Sequence, residues 1–422
     1  MSAVARHDIR EMELSGQDDK GVSLVVIATA IMPFTLLFGN DRSFTFQSVV
    51  PSIVLMVVAC LFSSKARRLS RQAVYVIFGF LTIMAVSNFL TASFQSYLIT
   101  SNTVTRFLLF TIIILFYGIS TSHSYSRREL SFLFRSIGAS TIVTSFLEIR
   151  RYLQLGLYAG RVSPVTLLGQ DLDPNYFALL VVVQIACAYV VALYSINIIT
   201  KLLYFIFICL GFVSVILTGS RSGMLCSIAV LGLGFIAYYL EAGSSKLSTT
   251  ILLIVFFVVL LFMASRFMSD WMFDRFFNND YDDSSNAQRL NYWQNAIQRW
   301  PQRPLFGFGV GNYNYFFAID RGMVGDLSTT THGTVTDFLV DFGILGLGLL
   351  IYIVGSSVLS LAKRHVYIML AVLPGIVVCT VIIGAERTVA LWLWIILFRV
   401  VANYFNCHPN ESLYDVFQKG KR

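Results

Sequence analysis

Residues 249–267 read TTILLIVFFVVLLFMASRF, and residues 270–341 read DWMFDRFFNNDYDDSSNAQRLNYWQNAIQRWPQRPLFGFGVGNYNYFFAIDRGMVGDLSTTTHGTVTDFLVD. The first stretch is apolar over the thickness of a bilayer. The second is polar, too long for a plain connection, and punctuated by aromatics and glycines. Apolar stretches of the first kind recur along the chain, and only one stretch of the second kind interrupts them. The reading is an all-α, polytopic membrane protein whose one large loop does the chemistry.

Composition agrees. With 56% hydrophobic and 13% charged residues and a mean hydropathy of +0.71, the chain has far more apolar surface than a soluble core could hide. Spans are expected near 22–39, 46–64, 73–93, 104–121, 129–147, 175–194, 201–218, 223–240, 249–267, 342–360, 366–384 and 388–405, about twelve in all. They divide the chain into a tail at 1–21, a membrane domain at 22–267, a loop at 268–341, three last spans at 342–405 and a tail at 406–422. Residues 22–39 read as a retained span, since no positively charged leader precedes them.

The net charge is +8, and its distribution decides what it does. On this topology Lys65, Lys201, Lys246, Lys363, Lys419 and Lys421 share one face with Arg67, Arg68, Arg71, Arg127 and Arg128. By the positive-inside rule that face is cytoplasmic, with both termini, and the loop faces outward. No nucleic-acid partner is expected; the bilayer is. Cys60, Cys187, Cys209, Cys226 and Cys379 fall in spans and Cys407 in the inner tail, so disulfides are not expected.

The outward cations are arginines. Arg161 precedes Asp173, Pro174 and Asn175, which have the chemistry of a helix start. Arg221 stands in the turn Gly219–Ser220–Arg221–Ser222–Gly223, where serines and helix-end amides make an anion site or a short hairpin with a snorkelling arginine. In the loop, Leu290, Trp293, Ile297 and Trp300 recur at helical spacing, with Arg289, Arg299 and Arg303 around them. A guanidinium forks onto two oxygens, which suits phosphate recognition.

The glycine run GFGVGNY, residues 307–313, follows no strand and opens no dinucleotide-binding unit. Asp280, Asp282 and Asp283 lack a calcium-loop pattern, and His332, the one histidine this topology places outward, has no second ligand at zinc spacing. No metal and no cofactor is expected. His332 is a candidate proton acceptor, with Asp337 and Asp341 behind it. Trp293, Trp300, Tyr313 and Tyr315 are candidate sugar platforms.

Taken in order, GSRSG at 219–223, Arg289 with Trp293 and Ala296, Pro304 with Gly307, Gly309 and Gly311, and His332 followed by DFGILG ending at Gly346 resemble the family of O-antigen ligases and O-antigen or capsular polysaccharide polymerases. DPNY at 173–176 is similar too. The resemblance implies a metal-independent, inverting glycosyl transfer at the outer face of a bacterial inner membrane. The donor would be an undecaprenyl-diphosphate-linked glycan, and the acceptor a hydroxyl of a second lipid-linked repeat unit or of lipid A core. By this resemblance Arg221 and Arg289 bind the diphosphate, with Arg161, Arg299 and Arg303 weaker candidates, and His332 is the base or acceptor-positioning residue. Many ligases place Asn, Ser or Gln after the histidine; here it is Gly333, and the reading adopted is the polymerase. A lipid-linked oligosaccharide transporter is the alternative of another class, although transporters place polar residues near the bilayer midplane.

Overall fold

A computed structural model describes residues 21–35, 50–63, 68–94, 101–156, 162–167, 169–242, 247–268, 270, 273–274, 283–313, 331–384 and 388–417. Helices make up the regular structure of these residues, and among them the one extended pairing is an isolated bridge between Val165 and Asp171. In order the helices are α1 Leu24–Ala30, α2 Met32–Thr35, α3 Val50–Phe62, α4 Arg71–Phe94, α5 Ser101–Ser122, α6 Arg127–Ala139 and α7 Thr141–Leu155. Then come α8 Pro174–Tyr194, α9 Ile198–Leu217, α10 Arg221–Ala242, α11 Leu247–Phe267 and α12 Asp283–Arg299. The last are α13 Thr334–Lys363, α14 Tyr367–Leu370, α15 Leu373–Ile382, α16 Val389–Cys407 and α17 Leu413–Phe417.

Eight helices among the described residues are long and apolar enough to cross a membrane. The count of twelve rests also on α1–α2, α3, α11 and the pair α14–α15, which are short, broken or not fully described. The expected span at 366–384 is broken between Leu370 and Leu373; Pro374 lacks the amide that would continue the ladder, and it sits in the first turn of α15. At the other end of the expected loop, α13 begins at Thr334, so Asp337 and Asp341 stand on a helix and not in the loop.

The hub is α8. Its sequence PNYFALLVVVQIACAYVVALY is apolar on nearly every side, as a helix enclosed by protein or lipid is, and protein encloses it here. Asp173 caps it, accepting hydrogen bonds from the amides of Asn175 at 2.8 Å and Tyr176 at 3.4 Å, with Pro174 in the first turn. Helices α6, α9 and α10 wrap it, with α16, α7 and α15 closing the ring. Gly138 brings α6 into backbone contact with α8: a Cβ there would fall 2.9 Å from Ala188 Cα.

A second layer holds the outer half of α13. Phe338 and Phe342 pack edge-on and tilted against Phe80 of α4 and Phe110 of α5, and Trp392 of α16 meets Phe110 edge-on. These rings fix the helix that carries Asp337 and Asp341.

Helix α13 is broken once, at Gly343, where φ is +66°. The break frees two carbonyls and two amides, and the glycine-rich turn takes all four. Phe308 N donates to Val340 O at 2.7 Å, Gly309 N to Asp341 O at 2.9 Å, while Ile344 N donates to Pro304 O at 2.9 Å and Leu345 N to Leu305 O at 3.3 Å. A Cβ on residue 343 would lie 2.3 Å from Leu305 O, and one on Gly307 2.6 Å from Val340 O. Only glycines allow the two backbones to meet.

At the far end of the bundle, α17 packs through Phe417 on Phe134 and through Tyr414 on Tyr194. Arg127 Nη2 donates to Glu411 Oε1 at 2.7 Å. Partial burial acts to raise the Glu411 carboxyl, but the hydrogen bonds from Arg127 and Tyr404 outweigh it and hold the group below its ordinary value.

Two outcomes follow. Gly343→Ala is expected to lose at least about 2 kcal/mol, read as an earlier unfolding midpoint in detergent, because the strained φ and the clash add. Gly348→Ala, in open space within the same helix, is expected to be neutral or mildly stabilising. The Glu411 contribution is present above the ordinary carboxylate value and is lost as pH falls through the depressed one. Protease protection of the α17 segment should therefore fall in acid, and Glu411→Gln should reduce that acid dependence, leaving the part due to Asp415, whose carboxyl the Ser412 hydrogen bonds also hold low.

Candidate active site

Two clusters from the sequence are brought to the same end of the bundle. The first is the Gly219–Gly223 turn joining α9 to α10. Gly219 turns the chain at φ +59°, and Arg221 is the first residue of α10, half-buried. Ser220, fully buried, donates from Oγ to Asn175 Oδ1 at 3.1 Å and accepts from Gly223 N at 3.3 Å. The turn is thereby locked to the capped start of α8, with the amides of α10 opening beside Arg221.

The second is the turn Thr331–His332–Gly333 ahead of α13. His332 is half-buried and holds φ +56°, a left-handed backbone uncommon for a residue with a side chain. Asp337 holds it there: its Oδ1 accepts from Thr331 N at 3.0 Å and from Thr331 Oγ1 at 2.8 Å. Gly333 N donates to Thr331 Oγ1 at 3.3 Å. The imidazole lies against Tyr292 of α12, ring centroids 5.5 Å apart. Arg289 stands one turn earlier on α12, at i−3 from Tyr292 and i−4 from Trp293, and so on the same flank.

Gly333, whose φ of −149° any residue could adopt, is required by space: a Cβ there would fall 2.8 Å from Trp293 Nε1, 2.8 Å from Thr336 Oγ1 and 3.2 Å from Val381 O. The glycine after the histidine is what lets α12 seat against the turn. The two clusters are tied through the segment after α15. Thr334 Oγ1 donates to Ile383 O at 2.8 Å, and Tyr176 OH, next to Asn175, donates to Gly384 O at 3.0 Å.

Other expected residues sit elsewhere. Tyr313 is 2% exposed and packs with Tyr292, Ala296, Phe308 and Val340, its hydroxyl donating to Asn295 Oδ1 at 2.8 Å; it is a core residue, not an open sugar platform. Arg303 donates to Thr91 Oγ1 at 2.6 Å and lies 5.4 Å over the Phe308 ring, and partial burial lowers its guanidinium from the usual value. It pins the glycine-rich turn to α4. Arg299 ends α12, half-buried. Asp341 accepts from Gly311 N at 3.2 Å. Like Asp337 it anchors a loop. Helix α12 is amphipathic as expected: Tyr292 and Ala296 are buried, and Leu290 and Ile297 stay exposed. Arg161, Asp280, Asp282 and Tyr315 lie outside the described residues.

Residues 205–351 match the family model described as O-antigen ligase. The matched segment runs from α9 through the Arg221 turn, α12, His332 and the Gly343 break, and so contains both clusters. Over that segment the chain is similar to the O-antigen ligase family, and the eight long apolar helices among the described residues are in keeping with a membrane protein. No curated protein matches the chain.

Asn175 and Tyr176 entered the sequence reading only through the DPNY motif, without a role in the site, and Tyr292 and the backbone at 383–384 were not singled out. Tyr292 had a signal, its i+3 spacing from Arg289; the 383–384 carbonyls had none, since any residue carries one. A double-mutant cycle of Asn175→Ala and Ser220→Ala should show a coupling of about 0.5–1.5 kcal/mol in detergent unfolding, the worth of their hydrogen bond. Strict additivity would mean that the Arg221 turn is not held by α8.

Proposed function

We propose that the chain is a polysaccharide polymerase of the O-antigen or capsule type, transferring an undecaprenyl-diphosphate-linked glycan to the acceptor hydroxyl of another lipid-linked repeat unit at the outer face of the inner membrane. The observation that carries this is His332, a non-glycine residue kept at φ +56° by a buried aspartate and set against the helix of Arg289. Backbone strain maintained by dedicated hydrogen bonds is concentrated at functional positions.

The chemistry suits these groups. The acceptor oxygen attacks the anomeric carbon, and the bond from that carbon to the diphosphate oxygen breaks with inversion. The electron pair leaves on undecaprenyl diphosphate, and the acceptor proton goes to the imidazole of His332. Charge grows on the leaving group as the bond stretches, so fixed guanidinium groups of Arg221 and Arg289 favour the transition state over the ground state. The cationic groups that do this are permanent, and the reading asks no metal for it. Asp337 acts through His332, by keeping the turn in shape.

Purified protein with a radiolabelled undecaprenyl-diphosphate repeat unit tests the reading, with lipid A core added or withheld. A ladder that grows without core, and falls by about a hundredfold or more in Arg221→Ala, Arg289→Ala and His332→Ala, is expected. Transfer that requires core would make the protein a ligase. Folded protein that moves the lipid across liposomes without consuming it would make it a transporter.

A further inference from the structure

Glu148 stands on α7 and takes no part in the site described above. Its side chain is fully buried at 0% exposure, and neither carboxyl oxygen has a hydrogen-bond partner among the described residues. Ser145, one turn away, is also 0% exposed with its Oγ unpartnered. Below them the polar ladder is satisfied: Thr144 Oγ1 donates to Gln184 Oε1 at 2.7 Å, and Gln184 Nε2 donates to Ser140 Oγ at 2.9 Å. Within this ladder the unmet atoms are those of Ser145 and Glu148; Arg151 Nε on the same helix, Arg135 Nε on α6 and Tyr189 OH on α8 are likewise buried without a hydrogen bond among the described residues.

Depth can be read from the packing. Gly211 of α9 lies level with Thr141 of α7 and Ile185 of α8, since a Cβ there would touch each at 2.8 Å. Seven residues along each helix, about 10 Å of rise, lead to Glu148, Thr218 and Ala178. Thr218 begins the Arg221 turn, and the Ala178 Cβ is 2.6 Å from the place a Cβ would take on Gly223. Glu148 is therefore inside the bundle at the level of that turn.

An ionised carboxylate without a partner is not stable in such a place. The titratable and charged groups on the packed helices are Arg127, Arg128, Glu129 and Arg135 on α6, Asp173, Tyr176, Cys187, Tyr189 and Tyr194 on or capping α8, and Lys201, Tyr204 and Cys209 on α9; Arg150, Arg151 and Tyr152 share its own helix. None hydrogen-bonds Glu148, and Arg151 is directed at Asp171, 3.9 Å away.

We propose that Glu148 is an intramembrane proton-binding site that holds one proton at neutral pH and whose ionisation places a negative charge beneath the Arg221 turn, weakening that turn for a diphosphate. The second half rests on the function proposed above; the first does not. On ionisation the O–H bond breaks with its electron pair staying on the carboxylate. The proton passes to water; Ser145, one turn from Glu148, lines a groove of about 570 Å³ with Ile142, Phe146, Ile149 and Arg150.

Infrared difference spectroscopy of wild type against Glu148→Gln reads the proton directly. A carbonyl band of an un-ionised acid is expected at neutral pH in the wild type, absent from the variant and bleached in alkali. Its absence at neutral pH overturns the proposal. Should the variant fold poorly, a pH titration of wild type carrying isotope-labelled glutamate gives the same band. Undecaprenyl diphosphate binding by the wild type should weaken roughly tenfold as the band bleaches, the order expected of one added charge near the site, and stay flat in Glu148→Gln. Equal weakening in both proteins overturns the coupling. If the wild type binds no undecaprenyl diphosphate at any pH, the diphosphate reading and the coupling fail together, and the band alone decides the proton site.

Discussion

Burial of α8 on all its sides is the constraint on which the other helices depend. A helix with no polar face can face lipid or protein, and α8 is the one that protein encloses, with 94% of its span buried. Enclosing it places α6, α7, α9 and α10 around one axis, and its capped N-terminus becomes the fixed point of the functional end. The Arg221 turn is held by Ser220 on Asn175, and the 383–384 segment by Tyr176, so both are registered to the first turn of α8.

The other half of the site is built on a broken helix. The bonds that α13 gives up at Gly343 are remade with residues 304–309, which converts a loose loop into an extension of the membrane domain. Arg303 on Thr91 and Asp341 on Gly311 tighten the same joint. With that joint closed, Tyr313, Phe308 and Val340 form a small core under α12, and α12 carries Arg289 and Tyr292 to the His332 turn. Rigid backbone thus stands behind each group that would meet a diphosphate or a hydroxyl, which is the arrangement electrostatic catalysis requires.

The membrane class, most of the helices and the positions of Arg221, Arg289 and His332 were legible in the chain, because span length, helical spacing and the ordered motifs are local properties. The same reading took Tyr313 for an exposed platform and Asp337 and Asp341 for reserve bases. Those assignments depend on which backbone lies opposite, and a side chain's partners across the bundle leave no trace in its neighbours along the chain.

By itself, then, the sequence determined that the protein is an all-α membrane protein, where an amphipathic helix lies in its loop, and which arginines and histidine stand out. Apolar length and periodicity suffice for that. Only the tertiary structure decided that Gly333 is demanded by Trp293, that Gly343 and Gly307 exist for one another, that His332 is bent into a left-handed turn by Asp337, and that Glu148 is buried without a partner. Each of these depends on atoms distant in the chain approaching within a few ångströms, and packing alone sets that distance.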